Sequence, residues 1–140
     1  MYIRIALISL ATLFIIGGFM IPSKFTIRES VLINAPNEKV YEQIADFANW
    51  KNWLWIVDST TQPPEIKKAS ITEGIVYAWY EERGSIKFEN TDNGLLLVWS
   101  EHYDSGYNLF RRWLSLISKK HNILRDGLYD LKQYCEKIPI

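Results

Sequence analysis

Hydrophobic positions run almost without interruption through the start of this chain and then break into short alternating and helical patterns. Residues 2–21 read YIRIALISLATLFIIGGFMI, with Arg4 as their only charge. About 17–20 apolar residues are enough to cross the hydrocarbon core of a bilayer. The pattern therefore predicts a transmembrane anchor over residues 1–22 and a separate domain over residues 23–140.

The same segment has an alternative interpretation as a cleaved signal peptide. A signal peptide needs a small-residue cleavage site after its apolar run, and the run here ends Gly-Gly-Phe-Met-Ile-Pro at residues 17–22, without an Ala-x-Ala pattern. An uncleaved, single-pass membrane anchor is therefore favoured. The amino terminus and Arg4 precede the apolar run, and Lys24 and Arg28 follow it, so the flanking charges favour neither orientation.

The first part of the domain has the pattern of a strand followed by an amphipathic helix. Residues 25–33 alternate loosely and are rich in β-branched side chains, which predicts a strand that begins at an exposed sheet edge. Pro36 suits the first turn of a helix, and apolar side chains then recur at helical spacing up to Phe47. We therefore expect a helix over residues 36–47.

A tryptophan-rich loop follows this predicted helix. Trp50, Trp53 and Trp55 are close together in the sequence, and soluble proteins rarely expose large apolar patches. We expect these side chains to bury against the core or at the mouth of a pocket. The membrane interface, where tryptophan is favoured, is the alternative.

Turn signals after residue 59 divide the rest of the chain into a β-meander and two helices. The predicted strands cover residues 65–69, 75–82, 85–89 and 95–103, and the predicted helices cover residues 109–119 and 123 to about 137. Both faces of the 75–82 segment are apolar, which predicts a central strand. Glycine in a helix indicates a close backbone approach, and we expect Gly127 to approach the sheet. Pro139 is the predicted stop signal.

Motifs near both ends of the domain resemble one known superfamily. The run Val31-Leu-Ile-Asn-Ala-Pro36, then Glu38-Lys-Val40 and Asp46-Phe-x-x-Trp50-x-x-Trp53, resembles the opening of the START-related (SRPBCC) superfamily, in particular its polyketide cyclase/dehydrase-like group. The closing pattern is similar as well, and it consists of Trp99, Tyr107-Asn108, Arg112, Gly127-Leu128 and Leu131-Lys132.

The resemblance implies an α+β helix-grip fold, in which a curved antiparallel sheet packs on a long C-terminal helix. Members of the group often carry a similar N-terminal anchor. This chain has fewer predicted strands between residues 65 and 103 than the group normally has. We therefore expect a shortened sheet, with a cavity that is small, open or absent.

Composition and motifs exclude several function classes. The formal net charge is +0 and there is no long basic run, so nucleic acid is not an expected partner. His102 and His121 are too isolated for a metal site, and no Gly-x-Ser-x-Gly or phosphate-binding loop occurs. Cys135 is the only cysteine, and it is expected in the core. We predict no metal, no cofactor and no catalytic set.

The favoured function is a non-catalytic, membrane-anchored module that binds a small hydrophobic or lipid-like molecule between the sheet and the C-terminal helix. If the helix-grip fold is right, the ligand-lining residues are expected to be aromatic or aliphatic side chains of the strands and that helix. These are Tyr77, Trp79, Phe88, Trp99, Leu128 and Leu131.

Two alternatives remain open. The first is a polyketide cyclase/dehydrase-type enzyme in which Glu81, Glu101 or His102 moves protons, although both acids are expected near exposed strand ends. The second is a ligand-free structural domain that forms a homodimer through a sheet edge. Arg111 and Arg112 are expected as a solvated pair, with an anionic ligand or lipid headgroup as the alternative.

Overall fold

The computed structural model describes residues 1–137 and has the predicted α+β helix-grip architecture. Pro139, the predicted helix stop, lies outside the described residues. The helices are α1 (Tyr2–Met20), α2 (Asn37–Ala45), a 3-10 helix (Phe47–Asn52), α3 (Leu109–Ile117) and α4 (Lys120–Lys137). The strands are β1 (Lys24–Ile33), β2 (Glu65–Ser70), β3 (Gly74–Trp79), β4 (Glu82–Thr91) and β5 (Gly94–Asp104).

The five strands form one sheet in the order β1-β5-β4-β3-β2. Strands β2 to β5 form the predicted meander, in which each strand pairs antiparallel with the next. Strand β1 lies at one edge, as its half-polar pattern predicts. Alternate residues of β1 are half-buried and exposed, and the strand ends at the fully buried Ile33.

The chain divides into two compact units. The helical unit consists of Met1–Phe25 and Tyr103–Ser118, and the sheet unit consists of Thr26–His102 and residues 119–137. The core of the sheet unit is a single apolar cluster to which the strands, α2, the 3-10 helix and α4 all contribute.

Gly127 marks a close approach of α4 to the sheet, as the sequence predicts. A Cβ added at this glycine would lie 2.9 Å from Leu54 Cδ1 and 3.1 Å from the indole of Trp99 on β5. A larger residue would therefore require Leu54 and Trp99 to shift. The residues of α4 that follow the same helical spacing are all buried, and they are Leu124, Leu128, Leu131 and Cys135.

The hairpin between β3 and β4 turns earlier than predicted. Strand β3 ends at Trp79, Tyr80 takes a φ of 55°, and β4 begins at Glu82. The predicted break between strands at residues 82 and 85 is wrong because Gly84 lies inside β4, opposite Tyr77. Gly84 leaves room for the Tyr77 side chain, since a Cβ added at Gly84 would lie 2.3 Å from the Tyr77 ring.

Strand β3 is not the centre of the sheet. It lies next to the edge strand β2, and Val76 on its outer face is 38% exposed. The prediction of a central strand with two buried faces is therefore wrong. The apolar content of residues 75–82 reflects one buried face together with Tyr80, which is 72% exposed at the turn.

Candidate functional site

A row of three residues crosses the middle of the sheet and places a carboxylate inside the aromatic interior. Tyr77 on β3 pairs with Gly84 on β4, which pairs in turn with Glu101 on β5. Because Gly84 has no side chain, the Tyr77 ring lies over β4 and reaches the next strand. The Tyr77 hydroxyl donates a hydrogen bond to Glu101 Oε1 at 2.7 Å.

The Tyr77 hydroxyl also accepts a hydrogen bond. Trp99 Nε1–H donates to it at 2.7 Å, so a continuous chain runs from Trp99 through Tyr77 to Glu101. The exposed fractions of these residues are 1%, 2% and 8% respectively. A buried polar group without a partner is costly, and this chain satisfies the indole, the phenol and one oxygen of the carboxylate.

Trp50 lies at the centre of the aromatic interior. It is fully buried, and its Nε1–H donates to the Ile44 carbonyl at 2.9 Å. The centroid of the Trp50 ring lies 5.4 Å from those of Trp53 and Tyr77, 5.6 Å from that of Trp79 and 6.4 Å from that of Trp99. The contacts with Tyr77, Trp79 and Trp99 are edge-to-face, an arrangement that is favourable beyond the area that it buries.

All six predicted ligand-lining residues belong to or pack against this one core cluster. Five of them are buried, and Trp79 is half-buried. Tyr77 and Trp99 are joined by a hydrogen bond between the indole N–H of Trp99 and the Tyr77 hydroxyl. Phe88 also lines a surface groove of about 410 Å³ with charged walls that include Lys68, Glu73 and Lys87.

The structure separates the three predicted proton-moving residues. Glu101 is buried, which makes the expectation of an exposed position wrong for this residue. Glu81 is exposed in the turn before β4. His102 is exposed and shares a 2.8 Å hydrogen bond, between its Nδ1 and Oγ1 of Thr26. Because successive strand residues point to opposite faces, His102 and Glu101 do not face the same interior.

An open groove of about 400 Å³ lies between the tryptophan loop and α4. Its aromatic lining is Trp53, Trp55 and Tyr134. Trp53 is 2% exposed, whereas Trp55 is 69% exposed. The volume falls within the range of about 300–1,000 Å³ that is usual for small-molecule sites. The remaining lining residues are Lys51, Asn52, Asp130, Gln133 and Lys137.

Trp53 connects the groove to the interior. Its ring centroid lies 5.8 Å from that of Trp99, and its Nε1–H donates to the Gln43 carbonyl at 3.2 Å. The expectation of buried loop tryptophans is confirmed for Trp50 and Trp53, and it is wrong for Trp55, which lines the groove but is mostly exposed. Sequence reasoning missed Tyr134, which lies one turn after Asp130 on the side of α4 that lines the groove.

Cys135 is a buried thiol of the core. Burial raises its pKa to about 11, and the thiolate is the reactive form of cysteine. We therefore expect negligible reaction of Cys135 with a thiol reagent at pH 8 in the folded protein, and full reaction in denaturant. Rapid labelling without denaturant would show that α4 opens readily from the core.

Arg112 contradicts the expected solvated arginine pair. It is 7% exposed, and its guanidinium donates to the Gly106 carbonyl through Nε at 3.0 Å and through Nη2 at 2.5 Å. Its neighbour Arg111 is exposed, as expected. The difference follows from helical geometry, since consecutive residues of α3 point about 100° apart.

Helix α1 is long and apolar enough to cross a membrane, and almost none of it is buried within the protein. A signal sequence near an amino terminus has the same properties. Among residues 1–137, no cluster of three or more His, Cys, Asp or Glu side chains is placed to hold a metal ion.

The model of one protein family matches residues 24–136, and its description is polyketide cyclase/dehydrase and lipid transport. Among solved structures, a Staphylococcus saprophyticus protein is similar, with a TM-score of 0.60 and 17% identity over 81% of this chain and 92% of that one. The Aha1 dimer from Colwellia psychrerythraea is similar at a TM-score of 0.58 and 15% identity, over 81% of this chain and 97% of that one.

The di-domain aromatase/cyclase StfQ of the steffimycin biosynthetic pathway has a TM-score of 0.60 and 13% identity, over 81% of this chain and 52% of that one. This chain thus spans about half of the di-domain protein. At these identities the similarities show the fold alone. No curated protein matches the sequence significantly.

Proposed function

Because this chain belongs to the polyketide cyclase/dehydrase and lipid-transport family, we propose that it binds a small hydrophobic or lipid-like molecule without transforming it. The proposed binding site is the groove lined by Trp53, Trp55 and Tyr134. We further propose that residues 1–22 anchor the chain in a membrane and that residues 23–140 carry the binding function.

The observation that carries this proposal is the exposure of Trp55 at the groove. A tryptophan that is 69% exposed leaves a large apolar surface in water, and covering such a surface with a ligand is favourable. Trp53 and Tyr134 line the same groove, so an apolar molecule bound there would meet further aromatic residues. The lining also contains Lys51 and Lys137 against a single carboxylate, Asp130, and this excess of positive charge favours a ligand with an anionic group, such as a fatty acid.

Replacing Trp55 by Ala is expected to weaken fatty-acid binding by about tenfold, because losing contact with one large side chain costs about 1.5 kcal/mol or more. The free energy of unfolding should change little, since the ring is mostly in water. The measurement is titration of intrinsic tryptophan fluorescence with a brominated fatty acid, which quenches nearby indoles, and with an isoprenoid alcohol.

Tyr129→Ala is the matched control, because Tyr129 is an exposed aromatic residue of α4 that does not line the groove. The affinity of the Tyr129→Ala chain for the fatty acid should equal that of the unmodified chain. An unmodified chain that shows no saturable quenching would contradict the proposed function. Equal affinities of the Trp55→Ala and unmodified chains would place the ligand elsewhere.

The six residues that the sequence predicts to line the ligand site lie in or against the core, and their contact with a ligand stays a prediction. The same titration tests it. In a Trp55→Phe chain, residual quenching must come from other tryptophans, of which Trp53 lines the groove and Trp99 lies behind it. Quenching at the emission wavelength of a buried indole would indicate that the ligand enters the interior. Its absence would confine the ligand to the groove.

A catalytic function is the weaker candidate. The buried pair of Tyr77 and Glu101 is the arrangement that favours it, because a carboxylate and a phenol in an apolar surrounding can exchange a proton with a bound molecule. The hydroxyl of Tyr77, however, already donates to Glu101 and accepts from Trp99. A homodimer also stays a prediction, and sedimentation of the detergent-solubilised chain would test it.

A further inference from the structure

We propose that α3 is a second membrane-embedded element, whose apolar face lies in the interface of the same bilayer leaflet as the end of α1. This inference rests on the proposed anchoring role of α1. It concerns only the helical unit, whose two segments are Met1–Phe25 and Tyr103–Ser118.

Helix α3 exposes much more apolar surface than a short helix of a soluble domain normally does. The exposed fractions are 63% for Phe110, 43% for Leu114, 63% for Leu116 and 76% for Ile117. Exposed apolar patches usually mark an interaction surface. The helix itself is well defined, because the Asn108 side chain caps its start by accepting a hydrogen bond from the Arg111 N–H at 3.0 Å.

The remaining apolar side chains of α3 fix it directly to α1. A Cβ added at Gly17 would lie 2.6 Å from the Trp113 ring, and one added at Gly18 would lie 3.0 Å from Leu109 Cδ2. The two adjacent glycines thus give α3 a place to pack closely against α1. Trp113 also stacks on Phe14 with ring centroids 5.7 Å apart, and its Nε1–H donates to the Phe14 carbonyl at 3.0 Å.

Arg112 satisfies carbonyl groups at the end of α1. Its Nη1 donates to the Ile21 carbonyl at 3.3 Å and to the Gly18 carbonyl at 3.5 Å. The last carbonyls of a helix have no intrahelical donor, and leaving them unpaired is costly where water is scarce. A buried arginine in this place is suited to a helix end that lies at the level of lipid headgroups.

Lipid is the occupant that this arrangement favours. The apolar helix α1 is exposed almost along its whole length, and the apolar residues of α3 that do not pack on it are exposed as well. If lipid covers α1, it reaches α3 at the same depth, because the two helices touch at Gly17 and Gly18. The unit also contains the features of interfacial segments, namely an exposed Tyr107, Trp113 and the exposed cation of Arg111.

The test compares probes at three positions of the full chain, reconstituted in vesicles of phosphatidylcholine and phosphatidylglycerol. An environment-sensitive fluorophore is attached to Phe110→Cys on the apolar face of α3, to Arg111→Cys on its polar face, or to Ile8→Cys in α1. The unmodified chain, whose buried Cys135 should not react, is the labelling blank. Quenchers are iodide in the water and doxyl groups on the lipid chains.

The expected result is a blue-shifted emission and lipid-side quenching at Phe110→Cys and Ile8→Cys, with iodide quenching at Arg111→Cys. If Phe110→Cys is quenched by iodide while Ile8→Cys is quenched from the lipid, α1 is an anchor but the proposal for α3 is overturned. If Phe110→Cys is shielded from both quenchers, a second copy of the chain covers it, which also overturns the proposal. Iodide quenching at Ile8→Cys would show that the proposed anchoring by α1 itself fails.

Discussion

Replacing Trp50 by Ala is expected to lower the free energy of unfolding of the sheet unit by about 3–5 kcal/mol, the usual cost of removing a large buried aromatic side chain. The cost should lie at the upper end of this range because Trp50 is fully buried and contacts the rings of Trp53, Tyr77, Trp79 and Trp99. Its indole N–H also satisfies the Ile44 carbonyl. Urea unfolding of detergent-solubilised chain, followed by far-ultraviolet circular dichroism, measures the loss.

Trp55→Ala is the control for this measurement, because the two residues belong to the same loop and differ mainly in burial. Trp55 is 69% exposed, and substitutions of exposed residues usually change stability by less than about 0.5 kcal/mol. Equal losses for the two variants would contradict the central position of Trp50.

Replacing Gly84 by Ala is expected to destabilise the sheet unit by about 1–3 kcal/mol or more, the cost of forcing extra volume into a packed core. The added methyl group would lie 2.3 Å from Tyr77 Cζ and 2.4 Å from its hydroxyl oxygen. The ring must therefore move, which also breaks its hydrogen bonds with Glu101 and Trp99. The same urea titration measures this loss.

A double-mutant cycle identifies the cause of this loss. Tyr77→Leu removes the ring that the methyl group would meet, so the two substitutions together should cost less than the sum of their separate effects. Additive losses would show that Gly84 matters for the strand backbone and not for the ring. Ser85→Ala, at the next position of β4, is the neutral control, because its side chain is half-buried and points to the other face.

The parts of the fold that were predictable from the sequence are those with local signals. The alternation in β1 and the helical spacing of α4 each depend on residues that are close together in the chain. Gly127 was also interpretable, because a glycine in an amphipathic helix has few roles other than a close contact. The resemblance at both ends of the domain then indicated how these elements assemble.

The misses involve residues whose role depends on a partner far along the chain. Gly84 has the sequence pattern of a turn residue, and only its pairing with Tyr77 shows that it makes space for a ring. Arg112 belongs to a dibasic pair that looks solvated, and its contacts with Gly18 and Ile21, far away in the sequence, have no local signal. Burial was predicted for Trp55 together with Trp50 and Trp53, since sequence spacing alone does not distinguish an indole in the core from one at a groove.

The helical unit is discontinuous in the chain, and this has a consequence during synthesis. The carbonyl of Ile21 and the guanidinium of Arg112 are separated by 91 positions, and every residue of β2, β3 and β4 is translated between them. The nascent apolar helix thus leaves the ribosome long before the arginine that closes its end exists. Water or a lipid headgroup has to donate hydrogen bonds to the carbonyls at the helix end in the meantime, and a polypeptide released before residue 112 would never contain the arginine that replaces them.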